Sequence, residues 1–336
     1  MAAAERSEAL ARDLDAVVRR AIPGTTGAGG LRRLSGGANL ETWALDAAGP
    51  GGPVPLVLRR TPGGKARAGF GSGLALATEA RVLARAVAAG VRAPAVRYVL
   101  APGDGLGEGY LMDRLEGETI ARRILRDDAF AAARPRLARQ CGEILARLHA
   151  TPLDDLEDLP RAPAMAQLEQ YRAVYDGTGE PHPVFEVALR WLARHAPPAG
   201  AGRLVHGDFR NGNLLIGPDG VRAVLDWELA HVGDPMEDLG WICVTSWRFG
   251  VLDKPVGGFG ARADLFTGYE AAGGAPVDPE RVRYWETMGS LKWGVMCMMM
   301  YRLYAGGLDR SVERAAIGRR ASEAELDLLA LLDGRA

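Results

Sequence analysis

Apolar positions at the start of the chain recur at helical spacing. Leu10, Leu14, Val17, Val18 and Ile22 fall on one side of a helix that Pro23-Gly24 ends. The period then shortens. Apolar runs at 31–34, 40–45 and 54–60 are separated by Ser35-Gly36-Gly37 and by the turn-rich 50–53. This predicts strands joined by turns, hence an antiparallel sheet. Residues 61–73 read as a Gly- and cation-rich loop. Leu76, Ala80, Leu83, Ala84 and Val87 predict a helix stopping at Gly90, and 96–100 and 110–115 predict two more strands. After Gly117 the pattern turns helical, at 119–125, 135–149, 165–175, 184–195 and from 238 to the end. The strand signals in this half are 214–216 and 221–225, flanking the hairpin turn Gly217-Pro218-Asp219-Gly220. The expected class is therefore α+β, in two lobes. Residues 1–114 form a small antiparallel β lobe, and 115–336 form a larger, mainly α lobe.

Composition narrows the function classes. Of 336 residues, 48% are apolar and 25% charged, the balance of a globular protein. A formal net charge of -1 gives no basic field for nucleic acid, so no nucleic-acid partner is expected. Cys141, Cys243 and Cys297 are three, widely spaced and without a C-x-x-C, which indicates neither a disulfide framework nor a zinc knuckle. The first twenty residues lack the apolar segment of a signal peptide. No apolar run approaches the roughly 18 residues a membrane span needs. A cytoplasmic monomer or homodimer, not bound to membrane, is the expectation.

The segment that carries chemistry is His206-Gly207-Asp208-Phe209-Arg210-Asn211-Gly212-Asn213, followed by the hairpin and Asp226. Phosphoryl transfer asks a protein mainly to position groups and balance charge. A carboxylate must orient an acceptor hydroxyl and accept its proton, and Asp208 can do so. An oxygen ligand and a second carboxylate must hold Mg²⁺ against nucleotide phosphates, and Asn213 and Asp226 can supply them. The hairpin returns Asp226 to the loop that holds the other two.

This spacing resembles the kinase catalytic loop and its metal-binding aspartate. With Gly207 rather than Arg after the histidine, it resembles the aminoglycoside phosphotransferase family, which includes choline, homoserine and methylthioribose kinases. The stretches Leu225-Asp226-Trp227-Glu228 and Gly233-Asp234-Pro235-Met236-Glu237-Asp238-Leu239-Gly240-Trp241 resemble the same family. Within it, the similarity is to the phosphotransferase domain fused to some acyl-CoA dehydrogenases, and it runs from about residue 31 to the C-terminus. The resemblance implies a protein kinase-like fold and an ATP- (or GTP-) and Mg²⁺-dependent transfer to a small-molecule hydroxyl. It makes Asp238 the residue that holds the catalytic loop through backbone hydrogen bonds, and His206 the one whose imidazole pins it. It also places the adenine edge against backbone near Asp113 and Leu115.

The N-terminal half must then hold the nucleotide. Ser35-Gly36-Gly37 stands where a phosphate-covering loop belongs, since glycine lets backbone N–H groups approach phosphate. Leu56-Val57-Leu58-Arg59 occupies the place of the kinase Val-Ala-Ile-Lys, and Arg binds phosphate as a bidentate fork. Strand alternation lets only one of Arg59 and Arg60 face the cleft; the motif register favours Arg59. Lys65 is a weaker candidate, and Glu79 is the expected ion-pair partner of the strand cation.

Three rival functions fit the sequence less well. A kinase fold that binds nucleotide without turnover would need a missing catalytic group, for which only Arg59 in place of Lys speaks. Metal-dependent hydrolysis by His206, Asp208 and Asp226 would want more ligands at close spacing. A protein kinase would need an activation segment, and Asp238 follows Asp226 by only twelve positions. For the acceptor, residues 241–336 hold 12 Lys+Arg and 12 Asp+Glu, without the acidic surplus a polycationic aminoglycoside would want. Acceptor-facing candidates are Glu228, Trp241, Trp247 and Arg248. With Phe249 and Lys254, the last two form an aromatic and basic rim suited to an anionic or partly apolar alcohol, such as a hydroxyacyl-CoA ester. An aminoglycoside- or choline-type acceptor is the alternative.

Overall fold

Helix α1 (Ala2–Ala21) buries Leu10, Leu14, Val17 and Val18, the stripe its spacing required. The computed structural model describes residues 2–34, 40–61 and 73–334, with side chains from residue 8. Next come β1 (Ala28–Arg33), β2 (Glu41–Gly49), β3 (Gly52–Arg60), α2 (Leu76–Ala88), β4 (Val96–Val99) and β5 (Gly109–Asp113). The strands form one antiparallel sheet in the order β1-β2-β3-β5-β4. Period-two alternation sorts its residues between two faces. Leu45, Leu56, Leu58 and Leu111 pack with α1 in one apolar cluster. Val57 and Arg59 point the other way, into the cleft beneath the sheet. Arg60 is directed away from that cleft, where its Nε donates to Glu41 at 2.8 Å and Nη1 to the Leu106 carbonyl at 3.2 Å.

The second lobe begins with α3 (Ala121–Arg126), α4 (Arg134–His149), α5 (Ala164–Asp176) and α6 (Pro183–His195). Then β6 (Arg203–Val205) and β9 (His231–Gly233) pair antiparallel and bracket the hairpin of β7 (Leu214–Gly217) and β8 (Gly220–Val224). The sequence pattern did not reveal β6 and β9. Each has three residues, too few for a period to register. Helices α7 (Met236–Trp241), α8 (Arg262–Ala271), α9 (Pro279–Ala305), α10 (Val312–Gly318) and α11 (Ala321–Leu332) complete the chain.

Two features fix α7, and with it the site. Asp234 accepts from the Met236 N–H at 3.0 Å, from Trp285 Nε1 at 2.7 Å and from Arg281 Nε at 2.6 Å, which ties the start of α7 to α9. Gly240 lets α7 lie against α9, since a Cβ there would sit 2.7 Å from the Glu286 backbone nitrogen. One apolar cluster runs from Leu76 on α2 through Tyr110, Phe209 and Trp227 to Leu328 on α11, so both walls of the cleft share a core. The three cysteines are buried thiols. No helix among the described residues is long and apolar enough to cross a membrane.

Candidate active site

Arg59, on β3, reaches both walls of the cleft. Its Nε lies 3.2 Å from Glu79 Oε1 on α2, an ion pair by distance but without hydrogen-bond alignment. Its Nη2 donates to Asp226 Oδ1 at 2.7 Å and to Glu228 Oε2 at 3.3 Å, across the cleft. Tyr110, from β5, donates its hydroxyl to Glu79 Oε1 at 2.9 Å. Burial works against the guanidinium charge, but Glu79 and Asp226 outweigh it and hold the Arg59 pKa above the usual arginine value. Burial moves Glu79 the other way, pushing its carboxyl up to about 7 against the pull of Arg59.

That shift has a sign. A carboxyl with a folded pKa of about 7 and an ordinary value of 4.5 binds more protons folded than unfolded between those pH values. Its contribution to stability is therefore complete below the lower value and is lost as pH rises through the upper one. Glu79→Gln, which cannot ionise, should gain melting temperature relative to the wild type as pH rises from about 5 to 7.5. A difference that stays constant over that range, measured by paired thermal melts, would reject the shift.

The cleft encloses about 450 Å³ between Val57, Arg59, Met112, Asp113 and Leu115 on one side and Asn213, Leu225, Asp226 and Glu228 on the other. Asp113, in its lining, has its carboxylate paired with Arg97 at 2.6 and 2.8 Å and its N–H with the Ala95 carbonyl at 3.0 Å. Ser35, Gly36, Gly37 and Lys65 lie outside the described residues.

The loop between β6 and β7 carries Asp208. Asp238, fully buried in the first turn of α7, accepts the His206 N–H at 2.8 Å and the Gly207 N–H at 3.0 Å. His149 Nε2 lies 3.2 Å from the same carboxylate, and Tyr269 Oη is 2.9 Å from His149 Nδ1. Burial would raise the Asp238 pKa, but the His149 hydrogen bond and the loop N–H groups more than offset it and hold it below the carboxylate range. His206 donates from Nε2 to the Leu225 carbonyl at 3.0 Å and accepts the Asp208 N–H on Nδ1 at 3.2 Å. Those partners select the tautomer protonated on Nε2 and pin the loop to the residue before Asp226. Position 207 admits only glycine: its φ is +76°, and a Cβ would lie 2.5 Å from the Leu229 carbonyl oxygen. This explains why a side chain is missing after the histidine.

Asp208 is held by three donors. Trp241 Nε1 reaches Oδ1 at 2.8 Å, Arg210 Nε reaches Oδ1 at 3.0 Å, and Asn213 Nδ2 reaches Oδ2 at 2.6 Å. The Asn213 amide nitrogen also donates to the Asp208 carbonyl at 3.0 Å, so its Oδ1 is the atom left for a cation. The Leu225 N–H bonds the Asn213 carbonyl at 2.8 Å, and Asp226 then takes a left-handed backbone with φ +63°. Asn213 and Asp226 line the same cleft. Among the described residues no three His, Cys, Asp or Glu side chains cluster as a metal site by themselves. Mg²⁺ binds through one or two carboxylates plus substrate phosphates, so the oxygens of Asn213 and Asp226, in a cleft that also holds Arg59, fit it.

Two of the acceptor candidates require correction. Arg248 faces inward, donating to Glu286 Oε1 at 2.8 Å and to the Cys243 carbonyl at 3.0 and 2.9 Å, with 8% of its side chain exposed. Buried Glu286 needs cations, and Arg248 and Arg262 supply them. The basic rim expected at 245–260 therefore lacks its arginine. Glu228 lies beside Arg59 in the cleft, apart from the indoles near Asp208. Trp241 bonds Asp208 and packs on Trp247, ring centroids 5.3 Å apart, with Trp293 at 4.9 Å from Trp247; Trp241 and Trp247 are buried together in one apolar cluster. Arg210, not singled out in the sequence, stacks 4.5 Å over Trp247 while holding Asp208. Its place two residues after the aspartate was the available signal. Tyr110 was missed as well, although it shares a strand face with Met112.

Known proteins share parts of this sequence and its fold. Residues 30–275 match the phosphotransferase enzyme family. Mouse acyl-CoA dehydrogenase family member 10 is 32% identical over 205 residues, 56% of this chain and 18% of that protein. Chicken acyl-CoA dehydrogenase family member 11 is 34% identical over 145 residues, 40% of this chain and again 18% of the relative. The matches thus span under a fifth of these relatives. A Ralstonia eutropha protein provisionally named an aminoglycoside phosphotransferase superposes with a TM-score of 0.77 at 24% identity, over 96% of this chain and 98% of that one. Aminoglycoside phosphotransferase APH(4)-Ia, solved with AMP-PNP and hygromycin B, gives 0.62 at 18% identity over 96% and 99%. At these identities the likeness is one of fold, the two-lobed kinase-like α+β fold.

Proposed function

Because the chain belongs to the phosphotransferase enzyme family, we propose that it moves the γ-phosphoryl group of ATP (or GTP) to the hydroxyl of a small molecule. Residues 1–114 would hold the nucleotide and 115–336 the acceptor. The observation that carries this reading is the meeting of Arg59 with Asp226 across a cleft that Asn213 also lines, with Asp208 hydrogen-bonded to Asn213.

Each side chain then has a task. Arg59, kept charged by Glu79 and Asp226, presents a fork to the phosphates. Asn213 Oδ1 and the Asp226 carboxylate would hold Mg²⁺, which when bound neutralises charge on the phosphates. Asp208 orients the acceptor hydroxyl and takes its proton, with Trp241, Arg210 and Asn213 fixing its direction. Asp238 and His206 hold the loop. The indole wall beside Asp208 suits an acceptor with an apolar body, and the acyl-CoA dehydrogenase names of the relatives support a hydroxyacyl thioester among the candidates. The solved complex with hygromycin B supports the second reading, an aminoglycoside-type acceptor.

The test is nucleotide affinity with and without Mg²⁺. Asp226→Ala should reduce the gain in AMP-PNP affinity that Mg²⁺ confers by at least about tenfold, since even outer-shell changes cost metal sites that much. Affinity without Mg²⁺ should hold or rise, because Arg59 is released from Asp226. An equal Mg²⁺ effect in both proteins would remove Asp226 as a ligand.

A further inference from the structure

Lys292 is one of three lysines in the chain, on α9, and only 8% of it is exposed. A buried ammonium ordinarily has a carboxylate or carbonyl partner, because removing its hydration without one is costly. Among the described residues Lys292 has no ion pair and no hydrogen bond; its contacts are with two aromatic faces. Its Nζ lies 4.7 Å from the Trp241 ring centroid and 5.7 Å from that of Tyr171 on α5. The Trp241 indole is the same one whose Nε1 donates to Asp208. The ammonium and the Asp208 carboxylate are therefore separated by a single ring.

The other cation at this place, Arg210, is committed to Asp208 and to the Trp247 face. Arg248 is committed to Glu286. Burial works against the charge on Lys292, but the fields of Tyr171, Glu237, Asp208 and Asp238 outweigh it and keep its pKa above the ordinary lysine value. Glu237 is itself engaged by Gln167 Nε2 at 2.7 Å and His231 Nε2 at 3.1 Å, so it does not serve as the partner. What remains is a desolvated positive charge, one indole from the proposed base, with donors and no acceptor.

Resting on the phosphotransfer reading of the site, we propose that Lys292 is an acceptor-binding residue: its ammonium takes an oxyanion, a carboxylate or a phosphate, borne by the alcohol whose hydroxyl lies at Asp208. The acceptor lies along the Trp241 face, hydroxyl at one end and anion at the other. Polycationic and quaternary-ammonium alcohols are disfavoured, because they would bring a second positive charge to Lys292.

The test compares matched alcohols in an ATP-consumption assay. The probes are 3- and 4-hydroxybutyrate and glycerol 3-phosphate, the neutral amides of the two acids and glycerol, and the cations choline and kanamycin. The wild type should prefer an oxyanion probe to its neutral counterpart. Lys292→Met should erase that preference by raising KM on the order of 10–100-fold, the weight of a charge-assisted contact, with kcat changing far less. Lys292→Arg should recover part of it. The carboxylate and phosphate arms separate the two sources of the anion. Binding of AMP-PNP with Mg²⁺, followed by thermal shift, should be equal in wild type and Lys292→Met.

Preference for choline, kanamycin or the neutral probes in the wild type overturns the proposal and leaves the kinase reading intact. Loss of nucleotide binding or of the fold in both variants makes Lys292 structural, and also overturns it. If no probe turns over, the stabilisation of the AMP-PNP-loaded wild type by each probe decides instead, and equal stabilisation by anion and neutral partner rejects the proposal. A wild type that neither binds Mg²⁺-AMP-PNP nor consumes ATP defeats the phosphotransfer reading itself, and the inference with it.

Discussion

Replacing Asp208 with asparagine is expected to lower turnover by about 10²–10⁴-fold, the range over which a positioned general base contributes. Affinity for Mg²⁺-AMP-PNP should stay within about twofold, since Asp208 makes none of the contacts with Arg59 or Asp226 that define the nucleotide side. The asparagine can keep the geometry. Its carbonyl oxygen can still accept from Trp241 and Arg210, which donate at 2.8 and 3.0 Å to the one oxygen of the native carboxylate. Its amide would face the Asn213 amide nitrogen, where Asp208 Oδ2 now accepts at 2.6 Å; that one bond is lost, while Asn213 keeps its bond to the residue-208 backbone carbonyl and so keeps Oδ1 free for a cation. What cannot be kept is a basic oxygen for the acceptor proton. Steady-state kinetics on any accepted alcohol, paired with nucleotide titration, give both numbers. Undiminished turnover would show that the alcohol loses its proton elsewhere, and parallel loss of nucleotide affinity would show that the substitution disturbed more than the base.

The parts of the site legible in the sequence are those whose chemistry is bound to spacing. Asp208, Asn213 and Asp226 lie on one loop and one hairpin, so chain connectivity alone brings them close. The choice between Arg59 and Arg60 was also implicit, because the period of β3 puts Arg59 with Val57 and Arg60 with Leu58. Glu79 was expected as the partner of the strand cation, and the packing of α2 under the sheet supplies the approach, 3.2 Å from Arg59 Nε. Residues brought together from distant elements were illegible. Arg248 read as a rim cation because its buried partner, Glu286, is 38 residues away on α9. Lys292 carried no signal for the same reason: its neighbours come from α5, α7 and the loop of Asp208. The glycine after His206 marked the family in the sequence, whereas its cause, the Leu229 carbonyl, needed the fold.

Asp238→Ala should be the most destabilising single change at the site, by about 3–5 kcal/mol, as for removal of one partner from a buried charged network. Asp238 has no exposed surface and receives the His206 and Gly207 N–H groups and the His149 ring. Alanine would leave these donors buried beside a cavity that no polar group fills, and each orphaned donor adds its own desolvation cost. Asp238→Asn should cost less, since one acceptor oxygen remains for the two loop N–H groups. The native contribution has a pH signature too. A folded pKa below the ordinary carboxylate value means that stability is present above that value and is lost as pH falls through the folded one. Urea denaturation of the wild type and both variants at neutral and acid pH should therefore show the gap to alanine narrowing as the solution becomes acidic. Turnover in the alanine variant should fall with stability, because the Gly207 N–H bond is the tether immediately before Asp208. A variant as stable as the wild type to within about 1 kcal/mol, below the usual effect of losing even one such bond, would mean that the loop is held by His206 and Leu225 alone.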